Sequence, residues 1–201
     1  MFCLGCKPIK TVQVDDETFS VYGKKGVTQL FSSIPNFESD EATNLNKLGN
    51  SQAQKGDFKS ARETFLKAIK IEPNNDWLWA NLGLSELFLK NYDESISHLK
   101  KAINIDKTNV SHYMNLGVVY NHSKQYQKAL EINLFILENG SDPSLIGYVY
   151  LNLADDYQNL EKCKKAKEAL EMGKGIIGEK VYEIVQDFED LEKDVKNCSS
   201  K

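Results

Sequence analysis

Three short stretches, Leu48-Gly49-Asn50, Leu82-Gly83-Leu84 and Leu116-Gly117-Val118, decide how this chain is read. Their glycines, at 49, 83 and 117, recur every 34 residues. Around each, apolar residues return at spacings of three and four, the mark of an amphipathic helix. The first unit sets Leu45 and Leu48 on a leading helix, A, and Phe58, Ala61, Phe65, Ala68 and Ile69 on a following helix, B. The connections Lys55-Gly56-Asp57, Lys90-Asn91-Tyr92 and Lys124-Gln125-Tyr126 are short enough to force antiparallel neighbours. Gly or Ala at the eighth place lets A and B approach closely, because no bulky side chain intervenes. Such a pair buries its apolar face only by stacking on the next pair, so the units stand or fall together.

Period and residues together resemble the tetratricopeptide repeat (TPR) family, whose pattern runs W-x2-L-G-x2-Y, A-x3-F and a closing Pro. The first unit carries Leu45, Leu48, Gly49, Ala61, Phe65, Ala68 and Pro73. The second carries Trp79, Leu82, Gly83, Leu99 and Ala102, with Ser95 for the usual Ala and Lys107 for the Pro. The third has Tyr113, Leu116, Gly117, Tyr120 and Ala129, with Pro143 slightly late. A degenerate fourth has Tyr150, Leu153, Ala154, Tyr157, Ala166 and Leu170, set back by a short insertion at Gly140-Ser141-Asp142-Pro143. The resemblance implies an all-α, right-handed solenoid over residues 41–178, with repeats at about 42–75, 76–109, 110–143 and 147–178. Beyond it, in residues 179–201, Glu179 to Asn197 reads as one more helix. Its stripe of Val181, Ile184, Val185, Phe188, Leu191 and Val195 suits a cap over the last repeat or, alternatively, a dimerisation seam.

Residues 1–40 lie outside the pattern. Ile9 to Val14 and Thr18 to Tyr22 suit the strands of a β-hairpin, with Asp15-Asp16-Glu17 as its turn. A lone hairpin is marginal in water and must dock, on the first repeat or in the concave groove. In the groove, residues 9–31 would act as an internal competitor. Gly23-Lys24-Lys25-Gly26 reads as a break, and Ser32 to Asp40 as a linker. Cys3 and Cys6 have the spacing of a zinc half-site or redox pair, but no second pair or nearby His completes four ligands. Leu4-Gly5-Cys6 also resembles the end of a lipoprotein signal, and the pair is a candidate for acylation. The third reading is two thiols on a frayed terminus in a reducing cytosol.

Composition bounds the rest. The 201 residues are 41% hydrophobic and 27% charged, an ordinary globular balance. A net charge of −4 gives no sequence-wide basic field to recommend nucleic acid. Lys162, Lys164, Lys165 and Lys167 read as a solvated helix face. No run of about 18 apolar residues marks a membrane span. His98, His112 and His122 fall on different repeats, and no catalytic motif spacing occurs. Asp155-Asp156 reads as a surface pair, Cys163 as a buried small hydrophobe, and the four cysteines as no disulfide framework. The expectation is a cytoplasmic, non-enzymatic chain without cofactor or metal. Its alternative is a membrane-anchored lipoprotein, tethered through Cys3 or Cys6, that scaffolds an envelope complex.

The resemblance also implies where binding occurs. In the family, helix A lines a concave groove through set places. Counted onto this chain, they put Asn46 and Asn50 in the first repeat, Trp77, Asn81 and Leu84 in the second, and Met114 and Asn115 in the third. The fourth adds Tyr148, Leu151, Asn152 and Asp155. Asn81, Asn115 and Asn152 form a ladder, one amide per repeat, and each could pair with a peptide's C=O and N–H. This resembles the asparagine ladder of O-linked N-acetylglucosamine transferase; the alternative is that Asn at this place serves local packing. Trp77, Met114, Tyr148 and Leu151 would be apolar anchors, or would pack between adjacent A helices. The expected partner is a protein, engaged through an extended peptide or an amphipathic helix. A clamp for an acidic chaperone tail is not expected. Asn50 and Asn81 match it, but Asn46, Ser111 and Asn115 stand where cations would make charge-assisted bonds.

Overall fold

The computed structural model describes residues 22–23, 26–27, 37–139, 143–178 and 186–198. A minimal ribbon, β1 (Tyr22–Gly23) and β2 (Gly26–Val27), precedes four helix pairs. These are α1 (Asp40–Gln54) with α2 (Phe58–Ile71), α3 (Asp76–Phe88) with α4 (Tyr92–Ile105), α5 (Val110–His122) with α6 (Tyr126–Asn139), and α7 (Pro143–Asn159) with α8 (Cys163–Ile177). A final helix, α9, spans Gln186–Asn197.

Four of the described helices start on a side-chain cap. Ser39, Asp57, Asn75 and Asn109 accept a backbone N–H of the first turn of α1, α2, α3 and α5, satisfying donors that have no partner inside the helix. Every A helix ends in the same way. The last turn closes by paired bonds such as Gly56 N–H to Ala53 O and Asp57 N–H to Gln52 O, and the residue after it turns left-handed. That residue is Gly56 (φ 79°) in the first repeat, but Lys90 (64°), Lys124 (61°) and Glu161 (57°) afterwards. Glycine adopts this conformation without strain, whereas Lys and Glu each carry a cost of about 1 kcal/mol. The turn is therefore imposed by packing on either side.

The apolar core runs the length of the stack. Phe65 and Ile69 pack with Leu78 and Leu82 between the first two repeats. Leu99 packs with Leu116 and Val119 between the next two, and Leu130 and Ile136 pack with Val149 and Leu153 between the last. Two of the eighth-place glycines are required by close approach: a Cβ on Gly49 would lie 2.6 Å from the Phe65 ring, and one on Gly83 would lie 2.9 Å from Leu99 Cγ. At Gly117 the nearest atom is Ile132 Cγ2 at 3.4 Å, an ordinary contact. Ser95, in the place of the usual Ala, donates to Gly83 O at 2.7 Å and ties A to B.

Successive A helices touch, α1 with α3, α3 with α5 and α5 with α7, while the B helices make no comparable contact among the described residues. A stack closer on one side than the other is curved, with the A helices on its concave face. Past the array, α9 packs on α7 and α8 and contributes buried Leu191 and Val195 to their core.

Two expectations change. Residues 9–21 of the expected hairpin lie outside the described residues, but the Gly23–Gly26 segment is not simply a break: β1 pairs antiparallel with β2, Tyr22 opposite Val27 and Gly23 opposite Gly26. The cysteine reading is corrected more sharply. Cys163 is buried, as expected, yet it forms a disulfide with Cys198, their Cα atoms 5.5 Å apart. The sequence concealed this because the partners are 35 residues apart, one in a helix and one in a polar tail, and only the return of α9 brings them together. Closing a loop of this length stabilises by about 3–4 kcal/mol. Reduction, or Cys198→Ser, should therefore speed backbone amide exchange in α9 by at least tenfold while leaving α2 and α3 protected, as read by hydrogen exchange with and without dithiothreitol.

Candidate functional site

The concave face is the surface the A helices present. Among the residues expected there, Asn46, Trp77, Asn81, Leu84, Tyr148 and Leu151 are buried, whereas Asn50, Met114, Asn115, Asn152 and Asp155 are half-buried. The buried set packs between helices. The Trp77 ring meets His112 edge-on with centroids 5.3 Å apart. Leu84 joins the core between the second and third repeats. Leu151 is seated over Gly173 of α8, where an added Cβ would lie 2.7 Å from Leu151 Cδ2. Cys3 and Cys6 lie outside the described residues.

The asparagine ladder divides in the same way. Asn81 Nδ2 donates to Asn46 Oδ1 at 2.9 Å, joining the first two A helices inside the stack. In the later repeats, Ala80 and Met114 stand where Asn46 stands and offer no acceptor. Asn115 and Asn152 consequently make no side-chain hydrogen bond among the described residues and stay partly open to solvent. One rung has become a structural bond, and two keep donor and acceptor available.

With that geometry in place, known proteins can be set beside it. The TPR repeat family model matches residues 49–85 and 89–121. The chain carries a tetratricopeptide repeat array. It is 26% identical over 136 residues to small glutamine-rich tetratricopeptide repeat-containing protein 2 of Saccharomyces cerevisiae, covering 68% of this chain and 37% of that protein. To the Hsp70/Hsp90 co-chaperone CNS1 of the same yeast it is 30% identical over 131 residues, 63% of this chain and 33% of that one. It thus spans about a third of the length of these relatives. The fold is shared with MamA, whose crystal structure covers 78% of this chain and 89% of its own at 24% identity and a TM-score of 0.57. MamA 41-end from Desulfovibrio magneticus RS-1 covers 81% and 95% at 16% identity and a TM-score of 0.60.

The TPR array also holds polar groups that the sequence reading misplaced. Asp155-Asp156 is not a surface pair: Asp155 is half-buried, while Asp156 is only 1% exposed. The Asp156 carboxylate accepts from Asn121 Nδ2 at 2.9 Å and from Asn133 Nδ2 at 2.7 Å. A signal for this was present. Asn133 stands 34 residues after Leu99 and 68 after Phe65, so an amide occupies a place otherwise filled by core hydrocarbon. A buried amide requires a polar partner, and Asp156 of the next repeat supplies it. A second inter-repeat tie joins Asp76 to buried His112, Oδ2 to Nε2 at 2.6 Å, with Asn109 Nδ2 at 3.3 Å. Burial works against the Asp76 carboxylate, but the bonds and charge from His112 and Asn109 hold its pKa below the ordinary value. Among the described residues no group of three His, Cys, Asp or Glu side chains is placed to hold a metal, and no helix is long and apolar enough to cross a membrane.

Burial pushes the Asp156 carboxyl up from 3.8 to about 7, against the two amide bonds and with help from Asp155. The folded chain therefore holds this proton more tightly than the unfolded chain does. Its contribution to stability is most favourable below the unfolded value and is lost as pH rises through about 7. The full swing is on the order of a few kcal/mol. Denaturant midpoints measured from pH 4.5 to 8 should fall for the native chain over this window. The corresponding fall should be much smaller in Asp156→Asn.

Proposed function

We propose that this chain is a non-catalytic scaffold that holds a segment of a partner protein, an extended peptide or an amphipathic helix, against the concave face of its third and fourth repeats. The observation that carries the reading is the pair of half-buried amides, Asn115 and Asn152, which make no side-chain hydrogen bond among the described residues and flank half-buried Met114. An amide with a donor and an acceptor to spare fits a peptide backbone, and an adaptable thioether fits a side chain beside it. The first repeat contributes less to this surface, because Asn46 and Asn81 are spent on each other.

One of the relatives above is named as an Hsp70/Hsp90 co-chaperone, and the array is also similar in sequence to Hsp70-Hsp90 organizing protein 2 of Arabidopsis thaliana. A terminal carboxylate is nonetheless the weaker reading of this groove. At the places a clamp would fill, Asn46 and Ser111 are buried and Asn115 is neutral, so no cation there meets the carboxylate. The disulfide favours a second reading for location, since such bonds persist in oxidising compartments: the membrane-anchored scaffold of an envelope complex. Trapping cellular thiols with a maleimide at harvest should then find Cys163 and Cys198 protected; alkylation of both in the native cell would return the chain to the cytoplasm.

Groove binding is tested by capture from native lysate with the full chain and with the Asn115→Ala/Asn152→Ala pair, identifying both sets by mass spectrometry. A partner should be lost at least tenfold with the double variant while its melting temperature is unchanged. Equal capture by both would move the binding surface elsewhere. Asn81 is left intact because its loss would strand buried Asn46.

A further inference from the structure

A narrow notch opens beside Asn152 and runs down between α5, α6 and α7. Gly117, Val118, Asn121, Asn133, Asn152, Asp155 and Asp156 line it, and its volume is about 20 Å³. That is room for one water-sized group. At its floor the Asp156 carboxylate uses one lone pair of each oxygen on Asn121 and Asn133, and a carboxylate has about four such sites. No cation meets it among the described residues. Asn133, 1% exposed, spends its Nδ2 on Asp156 and leaves Oδ1 buried without a hydrogen-bond partner. At the mouth, Asp155 accepts from Asn159 Nδ2 at 3.2 Å, and Asn152 adds an amide. Once the Asp156 carboxyl is ionised, as it is at pH 8, every unspent polar atom on the floor is an acceptor and an anion sits among them.

We propose that this notch receives the ammonium group of a lysine side chain carried by the partner segment. The inference rests on the groove reading above and names the chemistry the partner must bring. An ammonium has three donors and no acceptor, and it would supply what the Asp156 carboxylate and Asn133 Oδ1 both lack. The size of the space selects the group: about 20 Å³, lined in part by Gly117 and Val118, admits a compact ammonium on a slender stem. The planar guanidinium of arginine is too broad for the space.

The test uses the full-length protein and n-butylammonium, which has the length and charge of the lysine side chain and needs no partner peptide. It is titrated at pH 8 against the 15N side-chain amide signals of Asn121 and Asn133, with n-butanol, guanidinium chloride and sodium chloride as controls. Saturable shifts are expected with butylammonium alone. Affinity should fall at least tenfold in Asp156→Asn and in Gly117→Ala, whose added methyl would lie 3.5 Å from Asn133 Oδ1 without a clash. Absence of saturation, equal shifts with n-butanol or sodium chloride, or binding unchanged in both variants would overturn the proposal and leave the cluster as a structural tie around a water. Because the probe bypasses the partner, failure here is separate from failure of the groove reading, which the capture experiment decides.

Discussion

No helix pair in this chain can bury its apolar surface alone, and that dependence shapes everything else. Phe65 of one repeat reaches full burial only against Leu78 and Leu82 of the next, and the same holds at each junction along the stack. Because the pairs must meet in one register, the turn between A and B must close identically each time. The chain accepts left-handed Lys90, Lys124 and Glu161 for that reason. Packing between repeats is strong enough to overrule the local preference of three residues.

The same dependence explains where polar groups sit. Among the described residues, several ties cross between neighbouring repeats inside the stack, among them Asn46 with Asn81, Asp76 with His112, and Asn121 and Asn133 with Asp156. A buried polar group unmatched across a junction would carry a penalty of about 1–3 kcal/mol. Each tie therefore favours one alignment of neighbours over a slipped one, where hydrocarbon contacts alone would tolerate shifts. The third tie differs because it leaves Oδ1 of Asn133 and part of the carboxylate unspent, the chemistry on which the proposed ammonium site rests.

Much of the fold was legible because a 34-residue period is redundant: glycines, aromatic positions and turns all repeat it, and each confirms the others. The candidate site was less legible for a physical reason. Counting places along helix A tells which residues approach the inner surface, but not whether a neighbour reaches them first. Asn81 and Asn115 occupy the same place, and only the residue facing each, Asn46 or Ala80, decides which stays open. Leu151 was likewise counted as an anchor, yet Gly173 gives it a socket in α8. Asn133 could have been found from sequence by asking why an amide follows Phe65 and Leu99 in the same column. The Cys163–Cys198 bond could not, since it depends on where the last helix returns.

That bond gives the array a direction. A solenoid normally frays from either end, but here the last helix is fastened to the fourth repeat, whereas α1 buries only Ala42, Asn46 and Gly49. The open amides and the acidic notch lie nearer that stapled end, so the surface proposed to meet a partner sits where the stack is held by a covalent bond as well as by packing.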